Sequence, residues 1–328
     1  MSSPNRSRRI LILIALLCLV VVIVYAFQSS SAPIVSNTES KQEEQKQEII
    51  PSENITHLEY PAILPNEKII SHTGYSFVYS EEHEQAKWIA YELTKEETNN
   101  LFERTDKFLV DPYVTTGTAE NSDYLKSGYD KGHLAPAADM GWSATTMKES
   151  FYLSNMSPQL PGFNRGVWKR LEEMMRSWAI DNSAIYIVTG PVLTSGLPTI
   201  GGNRVSIPNY YYKVILDYTQ PEIKAMGFIL PNASSSSALT SFSVSIDEVE
   251  KATGIDFFPA LPDDQETTLE KEKCAPCWNW QKVKTQSGSS SPKREGTSIQ
   301  CSGTTKAGDR CKRMTLSENG RCYQHGGN

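Results

Sequence analysis

Three segments near the middle of the chain carry its strongest polar signal: YDKGHLAP at residues 129–136, FYLSNMSPQ at 151–159 and NRGVWKRLE at 164–172. The third segment opens a run in which apolar residues return every three or four positions: Val167, Leu171, Met174, Met175 and Trp178. That spacing predicts a helix that begins near Asn164 and buries one face. The three segments together therefore predict a polar site beside the start of a core helix.

In order and spacing, these segments resemble the DNA/RNA non-specific endonuclease family of ββα-metal nucleases, which includes endonuclease G and the Serratia-type secreted nuclease. The resemblance covers residues 70–260, and three linked motifs are a far stronger signal than one short motif. The chain departs from the family at Lys131, where arginine is usual, because lysine keeps the charge but lacks the planar, bidentate guanidinium. The resemblance implies a nuclease that cuts DNA and RNA without strong sequence preference.

The pattern of apolar residues predicts the α+β class. Val, Ile and Tyr dominate five runs that we interpret as strands, at residues 76–79, 88–93, 185–192, 210–218 and 225–230. A second helical pattern spans residues 241–253. The resemblance adds a ββα-metal motif, or His-Me finger, embedded in a mixed sheet with flanking helices.

His133 is the candidate general base. Hydrolysis of a phosphodiester needs an activated water, and an imidazole with a pKa of about 6.5 is mostly neutral near neutral pH and can take a proton from water. Gly132, directly before it, would let the backbone approach a substrate closely.

A hard divalent cation would stabilise the phosphate and the departing oxygen. The resemblance implies Mg²⁺, with Mn²⁺ as an alternative, held by the amide oxygen of Asn164; on position alone, Asn164 is as readily an N-cap. Glu172 lies about 80° around an ideal helix from Asn164 and roughly 12 Å along it, so the two cannot easily share the inner coordination shell. The resemblance makes Glu172 an outer-shell partner of the hydrated ion, and a solvated glutamate on a helix face is the alternative.

Four further residues complete the predicted site. By resemblance, Arg104 stabilises the transition state electrostatically and Lys131 adds positive charge beside it. Asp130 and Asn155 would orient the site through hydrogen bonds. The simpler alternatives are a surface arginine at position 104 and an ordinary strand-end asparagine at position 155.

The N-terminal segment predicts export. Three arginines at residues 6–9 precede an uncharged apolar run at residues 10–27, which is long enough to span a bilayer with the arginines on the cytoplasmic side. Small residues near its end could instead form a signal-peptide cleavage site. We therefore expect the rest of the chain outside the cytoplasm, either membrane-anchored or, after cleavage, secreted.

The charge of the chain is unevenly distributed. The net charge is −6, and the N-terminal arginines contribute +3 and residues 292–325 contribute +4, so the rest carries −13. Such a balance does not favour binding of nucleic acid by phosphate neutralisation alone. A nucleic-acid site in this chain must therefore concentrate its positive charge locally.

Composition divides the chain into five parts. We interpret residues 1–27 as the anchor or signal segment, 28–56 as a flexible tether, 57–272 as the nuclease domain, 273–300 as a linker and 301–328 as a small module.

The cysteines outside the apolar run all lie after residue 270. Cys301, Cys311, Cys322 and His325 have the ligand number and type of a structural Zn²⁺ site, although disulfides compete with zinc in an exported protein. Basic residues around them form a cluster that could bind nucleic acid or simply be solvated. The motif CAPC at residues 274–277 can hold half a metal site, form a disulfide or act in redox exchange, and we interpret it as structural or redox-labile.

Two functions from different classes remain. The first is a hydrolase with DNA and RNA as substrates and the membrane as a partner through the N-terminal segment; the sequence identifies no inhibitor protein. The second is a non-catalytic nucleic-acid-binding protein of the cell surface, which would use the nuclease-like domain as a scaffold and the basic tail for binding. Lys131 is the only feature that favours the second.

Overall fold

The computed structural model describes residues 55–219, 221–282, 299–304, 310–311, 314–315 and 321. The predicted anchor, nearly all of the predicted tether, and Cys322 and His325 lie outside the described residues. Within the described ranges, no helix combines the length and apolar character needed to cross a membrane.

The strands are β1 (Ile69–Ser71), β2 (Ser76–Ser80), β3 (Gln85–Thr94), β4 (Asp130–His133), β5 (Met156–Gln159), β6 (Ala184–Pro191), β7 (Thr199–Ile200), β8 (Val205–Ser206), β9 (Tyr210–Asp217), β10 (Lys224–Pro231), β11 (Ser243–Val244), β12 (Ile299–Gln300) and β13 (Met314–Thr315). The α-helices are α1 (Asn121–Tyr124), α2 (Ala144–Glu149), α3 (Lys169–Asn182), α4 (Ile246–Thr253) and α5 (Asp263–Lys271). The α+β class and the five main predicted strands are confirmed, with small differences at the strand ends.

A seven-stranded sheet forms the centre of the domain, in the order β1-β2-β3-β6-β9-β10-β11. All of its pairings are antiparallel, whereas the sequence analysis expected a mixed sheet. Short connections such as those between β2 and β3 or β9 and β10 reverse the chain direction, and a parallel neighbour would need a longer crossover.

Helices cover both faces of this sheet. On one face, Leu171, Met175 and Trp178 of α3 pack against sheet residues such as Ile187 and Ile215. On the other face, α4 and α5 bury Ile246, Val249 and Leu269 against Trp88, Val188 and Val214. Burial of each such side chain contributes about 1.5–3 kcal/mol. The two apolar layers fix α3 on the sheet, which matters because α3 carries part of the candidate site.

The long segment between β3 and β6 contains the ββα motif. Strands β4 and β5 pair antiparallel, with Asp130 opposite Gln159 and His133 opposite Met156, and α3 follows them. The helix differs from the prediction at its start. Residues Phe163–Trp168 form a π-helical turn with a kink at Gly166, and the α-helix begins only at Lys169.

The second predicted helix also begins later than expected. Residues Leu239–Phe242 form a 3₁₀ turn and Ser243–Val244 form β11, so α4 starts at Ile246. Ser245 and Glu248 form a reciprocal capping box there, which satisfies backbone N–H groups that the helix leaves unpaired and fixes its first residue.

Residues 274–280 pack on the same core, although the sequence analysis counted them in a linker. Cys274 and Cys277 form a disulfide, and the indole of Trp278 is buried with its ring centroid 4.9 Å from that of Trp178. Trp178 Nε1 also donates a hydrogen bond of 2.6 Å to the Asn279 carbonyl. We call residues 274–280 the aromatic clasp, and it packs against Trp178 of α3 and extends the apolar core between α3 and the sheet.

Candidate active site

A cleft of about 710 Å³ lies over the ββα motif, and most of the predicted site residues line it. Its walls include Arg104, Phe108, Tyr124, Tyr129, Asp130, Lys131, His133, Pro136, Ala137, Ala138, Asn164, Arg165, Lys169, Glu172 and Arg176. The predicted residue Asn155 is fully buried beside the cleft instead of lining it.

His133 lies at the end of β4 with its ring held between aromatic side chains. The ring packs edge-on against Phe151 with centroids 4.9 Å apart, and Phe108 lies 6.0 Å away. Its Nε2 atom is buried and has no hydrogen-bond partner among the described residues. Burial, assisted by the positive charge of Arg104, lowers the pKa of His133 to about 3. The imidazole is therefore neutral at physiological pH, as a proton acceptor must be.

Gly132 has a structural role in addition to the predicted approach to a substrate. A Cβ atom at this position would lie 2.1 Å from Oε1 of Gln159, a fully buried residue on the paired strand β5. Glycine is thus required because the side chain of Gln159 crosses the backbone next to His133, independently of any substrate.

Asp130 fixes the side chain of Asn164. Oδ2 of Asp130 accepts a 2.9 Å hydrogen bond from Asn164 Nδ2, and both carboxylate oxygens accept from the guanidinium of Arg165, at 2.8 and 2.6 Å. An ionised carboxylate only accepts hydrogen bonds, so the amide nitrogen of Asn164 must face Asp130 and the amide oxygen must face away. Asn164 lies inside the π-helical turn and does not cap a helix, which removes the structural alternative for this residue.

Asn155 holds the backbone that follows His133. Its Oδ1 accepts from the Ala135 N–H at 2.8 Å, and its Nδ2 donates to the carbonyls of Ala135 and Ser150 at 2.9 and 2.7 Å. All its contacts are therefore inward, and they join the end of β4 to the turn after α2.

Glu172 belongs to a group of half-buried and buried charges beneath the cleft, which we call the inner charge cluster. Its members are Glu172, Asp139, Arg176 and Lys213. Arg176 Nη1 donates to Asp139 Oδ1 at 2.6 Å, and Tyr91 donates its hydroxyl to Asp139 Oδ2 at 2.8 Å. Burial raises the pKa of Glu172 and lowers the pKa of Lys213, and the attraction between the two charges opposes both shifts.

Sequence reasoning missed Asp139, Arg176 and Lys213. Arg176 follows Glu172 by one helical turn, so the spacing of four residues could have indicated that the two share a face. Asp139 and Lys213 come from a turn and from strand β9, and the sequence contains no signal that brings them under the same helix.

Arg104 and Lys131 place positive charge at the rim of the cleft. The Arg104 guanidinium is exposed, pairs with Asp106 at 3.1 Å and lies 5.1 Å from the centre of the Phe151 ring. The Lys131 ammonium lies 4.5 Å from the centre of the Phe108 ring. A cation held on an aromatic face keeps its charge while losing some hydration, which favours contact with an anionic ligand.

A buried network ties the segment that carries Arg104 and Phe108 to the rest of the domain. His72 Nε2 and Ser154 Oγ both contact Asp111 Oδ2, at 2.8 and 2.5 Å, and the side chains of His72 and Asp111 are completely buried. Leu109 also exchanges backbone hydrogen bonds with Phe151 and Leu153. This network joins the Arg104 segment to the strand pair that carries His133.

In the C-terminal tail, Cys301 and Cys311 are buried against each other. The Gly303 N–H donates to Cys301 Sγ at 3.3 Å. The other two predicted zinc ligands, Cys322 and His325, lie outside the described residues.

Comparison with known proteins gives a consistent result. The model of the DNA/RNA non-specific endonuclease family matches residues 55–264. Relatives include the mitochondrial nuclease EXOG of Danio rerio, 36% identical over 215 residues that cover 60% of this chain and 63% of that protein. Human mitochondrial endonuclease G is 33% identical over 206 residues, covering 58% of this chain and 69% of that protein.

Nuclease C1 of Cunninghamella echinulata var. echinulata is 38% identical over 208 residues, which cover 57% of this chain and 81% of that protein. Among solved structures, a crystal structure of the EndoG/EndoGI complex, described as showing the mechanism of EndoG inhibition, superposes with a TM-score of 0.61 at 30% identity. The superposition covers 67% of this chain and 96% of that chain.

Proposed function

Because the chain belongs to the DNA/RNA non-specific endonuclease family, we propose that it hydrolyses phosphodiester bonds of both DNA and RNA in a Mg²⁺-dependent reaction. The observation that carries the proposal is the convergence of His133, Asn164 and Glu172 on one cleft that is rimmed by Arg104 and Lys131. A neutral base, oxygen ligands and positive charge are the parts that phosphodiester hydrolysis needs.

The donor set of the cleft fits a magnesium ion. Asn164 presents an amide oxygen because its amide nitrogen is engaged by Asp130, and Glu172 contributes a carboxylate to the same cleft. Both are hard oxygen donors, and Mg²⁺ is often held by one or two protein groups together with water and a substrate phosphate. Asn164 would be the direct ligand, with Mn²⁺ as an alternative ion, and Glu172 would contact the hydrated ion from the outer shell. When bound, the ion supplies positive charge for the phosphate and the departing 3′-oxygen.

His133 accepts the proton of the attacking water. Since Nε2 is buried without a partner, Nδ1 is the nitrogen that receives the proton, and the neutral ring carries its own proton on Nε2. Phe151 and Phe108 keep the ring in place and exclude water from its sides. The charge of Arg104 further disfavours the protonated ring before substrate arrives.

The remaining residues bind the substrate phosphate or orient other residues of the site. Arg104 and Lys131 contact the phosphate and stabilise the charge that develops on it. Asp130 holds the amide of Asn164, and Asn155 holds the backbone after His133. Departure of the 3′-oxygen leaves products that carry 5′-phosphates.

The direct test uses the purified full chain with plasmid DNA and with RNA, each in Mg²⁺ or in EDTA. We expect degradation of both substrates in Mg²⁺ only, and its loss in His133→Ala. Binding of both nucleic acids without any cleavage would instead support the non-catalytic scaffold.

We also propose that Cys301, Cys311, Cys322 and His325 bind one structural Zn²⁺ and that residues 1–27 direct the chain out of the cytoplasm, as an anchor or a cleaved signal. Metal analysis of the purified chain should then find about one zinc per chain. Intact disulfides among these cysteines in non-reducing mass spectrometry would argue against zinc. N-terminal sequencing of the mature protein distinguishes anchor from signal.

A further inference from the structure

Lys213 is a charged residue in a position that ordinarily holds an apolar one. It lies in the middle of β9 between Tyr211 and Ile215, on the sheet face that α3 covers, and its side chain is completely buried. Lysine is almost never fully buried unless its charge has partners, because removal of an ammonium from water is costly. Its complete burial under the candidate active site therefore indicates a specific role for its charge.

The contacts of Lys213 converge on the backbone around His133. Its Nζ donates to the Leu134 carbonyl at 3.4 Å and to Thr189 Oγ1 at 3.1 Å. The same atom lies 4.5 Å from the centre of the Trp168 ring, and Trp168 Nε1 donates to the His133 carbonyl at 3.4 Å. The ammonium thus bonds directly to Leu134, the residue after His133. It also packs on the ring of Trp168, whose indole N–H donates to the His133 carbonyl.

Stability alone does not account for a cation here. Its two hydrogen-bond acceptors are uncharged, and replacement of a buried charge by an apolar side chain of similar size is often neutral or stabilising. Among its neighbours, Glu172 and Asp139 are the anions whose charges favour the ammonium. Lys213 is buried and does not line the cleft, so it supplies positive charge to the inner charge cluster from within the protein.

We propose that Lys213 is a positioning residue of the active site, whose buried ammonium holds the Leu134 carbonyl and, through this backbone contact, the placement of His133. The proposal rests on the proposed nuclease function for its kinetic consequences, but the placement of the His133 ring can be measured without activity.

The test compares three variants of the full chain. Lys213→Met removes the charge at nearly constant volume, and Thr189→Val keeps the charge but removes one acceptor of the ammonium. Tyr212→Phe is the matched control. Tyr212 is a buried residue of the same strand whose side chain lies on the opposite face of the sheet, and the variant loses a hydrogen bond to the Lys87 carbonyl. Thermal unfolding, steady-state cleavage of a defined oligonucleotide over a range of concentrations in Mg²⁺, and histidine-ring NMR are recorded for each.

We expect Lys213→Met to remain folded and to lower kcat by about 10–100-fold with little change in KM, because a slightly displaced base loses rate and not substrate affinity. Thr189→Val should give a smaller loss of kcat in the same direction, and Tyr212→Phe should keep kcat within about twofold. A folded Lys213→Met with unchanged kcat overturns the proposal. If Lys213→Met does not fold, unchanged kcat in Thr189→Val overturns it.

The NMR readout separates this proposal from the proposed function. In Lys213→Met, the ring resonances of His133 should move, while those of His83, which bonds Ser206 away from the cleft, should stay in place. If the unchanged protein cleaves neither DNA nor RNA, the nuclease function fails, and the shift of the His133 resonances still decides the role of Lys213. Unmoved His133 resonances in a folded variant contradict the positioning role whatever the activity.

Discussion

The cleft and the contact between α4 and α5 both bring charged groups out of water, but they do so in opposite ways. Beneath the cleft, the two acids of the inner charge cluster face two cations, and Arg176 contacts Asp139 directly. Between α4 and α5, Glu270 lies close to Glu250 and Asp247 and also close to Glu266 and Asp256, with the carboxylate oxygens of each group within 4.8 Å of one another. The ion pairs among the described residues include none of these carboxylates.

The pKa values of the second group reflect the crowding. Burial and the neighbouring carboxylates raise the pKa of Glu266 to about 7 and that of Glu270 to about 9. We call Glu250, Asp256, Glu266 and Glu270 the acidic cluster. The acids of the inner charge cluster are compensated by cations, whereas the carboxylates of the acidic cluster are not, so the acidic cluster should make the stability of the fold depend on pH. Changes in the cleft should therefore alter rate, and changes in the acidic cluster should alter stability.

The largest effect should come from His133→Ala. Loss of the proposed general base should lower kcat by about 10²–10⁴-fold, while DNA binding in EDTA persists. His83→Ala is the matched control, because it removes a buried histidine that does not line the cleft. Equal loss of activity in both variants would mean that the effect is structural and that His133 is not the base.

Asp130→Asn should act through Asn164. The neutral amide accepts hydrogen bonds less strongly from Asn164 and Arg165, so the amide of Asn164 is no longer held in one orientation. We expect the Mg²⁺ concentration needed for half-maximal cleavage to rise, or activity to fall, by about 10–100-fold. Asp106→Asn, which releases only the exposed Arg104, serves as the comparison. An unchanged Mg²⁺ dependence in Asp130→Asn would contradict the orienting role.

Removal of the disulfide should change stability and leave the cleft intact. In Cys274→Ser/Cys277→Ser, opening the short loop should cost about 2 kcal/mol, visible as a lower Tm, because the unfolded chain gains freedom. We expect kcat to stay within about twofold, since α3 is held on the sheet by its own apolar face. A large fall in kcat without a fall in Tm would show that the aromatic clasp controls the cleft.

The smallest effect should be that of Glu270→Gln, and it should depend on pH. A carboxyl whose folded pKa is raised stabilises the fold fully below its unfolded pKa, and that contribution is lost as pH rises towards the folded pKa. The variant avoids this loss, so its Tm should equal that of the unchanged protein near pH 4.5 and exceed it by about 2 °C near pH 8. Glu272→Gln, exposed at the end of α5, should show no such trend. A constant difference across pH would exclude a titration effect.

The sequence predicted the residues that line the cleft better than the residues that support them. His133, Asn164 and Glu172 lie in linked motifs, and the resemblance of these motifs to the nuclease family was needed to single them out. The kink at Gly166 could not be predicted from the apolar period alone, because the period does not indicate that Gly166 leaves the helical region of φ and ψ inside a π-helical turn. It also means that the ideal-helix separation of Asn164 and Glu172 does not describe their placement on one cleft.

Other features were hidden because they depend on contacts between distant segments. Lys213 interrupts an otherwise apolar strand, and only the fold shows that its neighbour is the Leu134 carbonyl. Residues 263–271 look like a solvated domain end by composition, yet they form α5, with Leu269 buried against the second apolar layer. Acidic residues in the first turn of α5 also suit the positive end of the helix dipole.

The aromatic clasp also sets a practical boundary for recombinant work. The family match ends at residue 264, and a chain shortened to that point would lack Trp278 and Trp280. The indoles of both tryptophans pack on Trp178, and Trp280 also packs on Phe228. The truncation would therefore expose the apolar surface of Trp178 and Phe228 and leave the Trp178 N–H without its carbonyl acceptor. Such a fragment would tend to self-associate, and expression should therefore extend at least to residue 282.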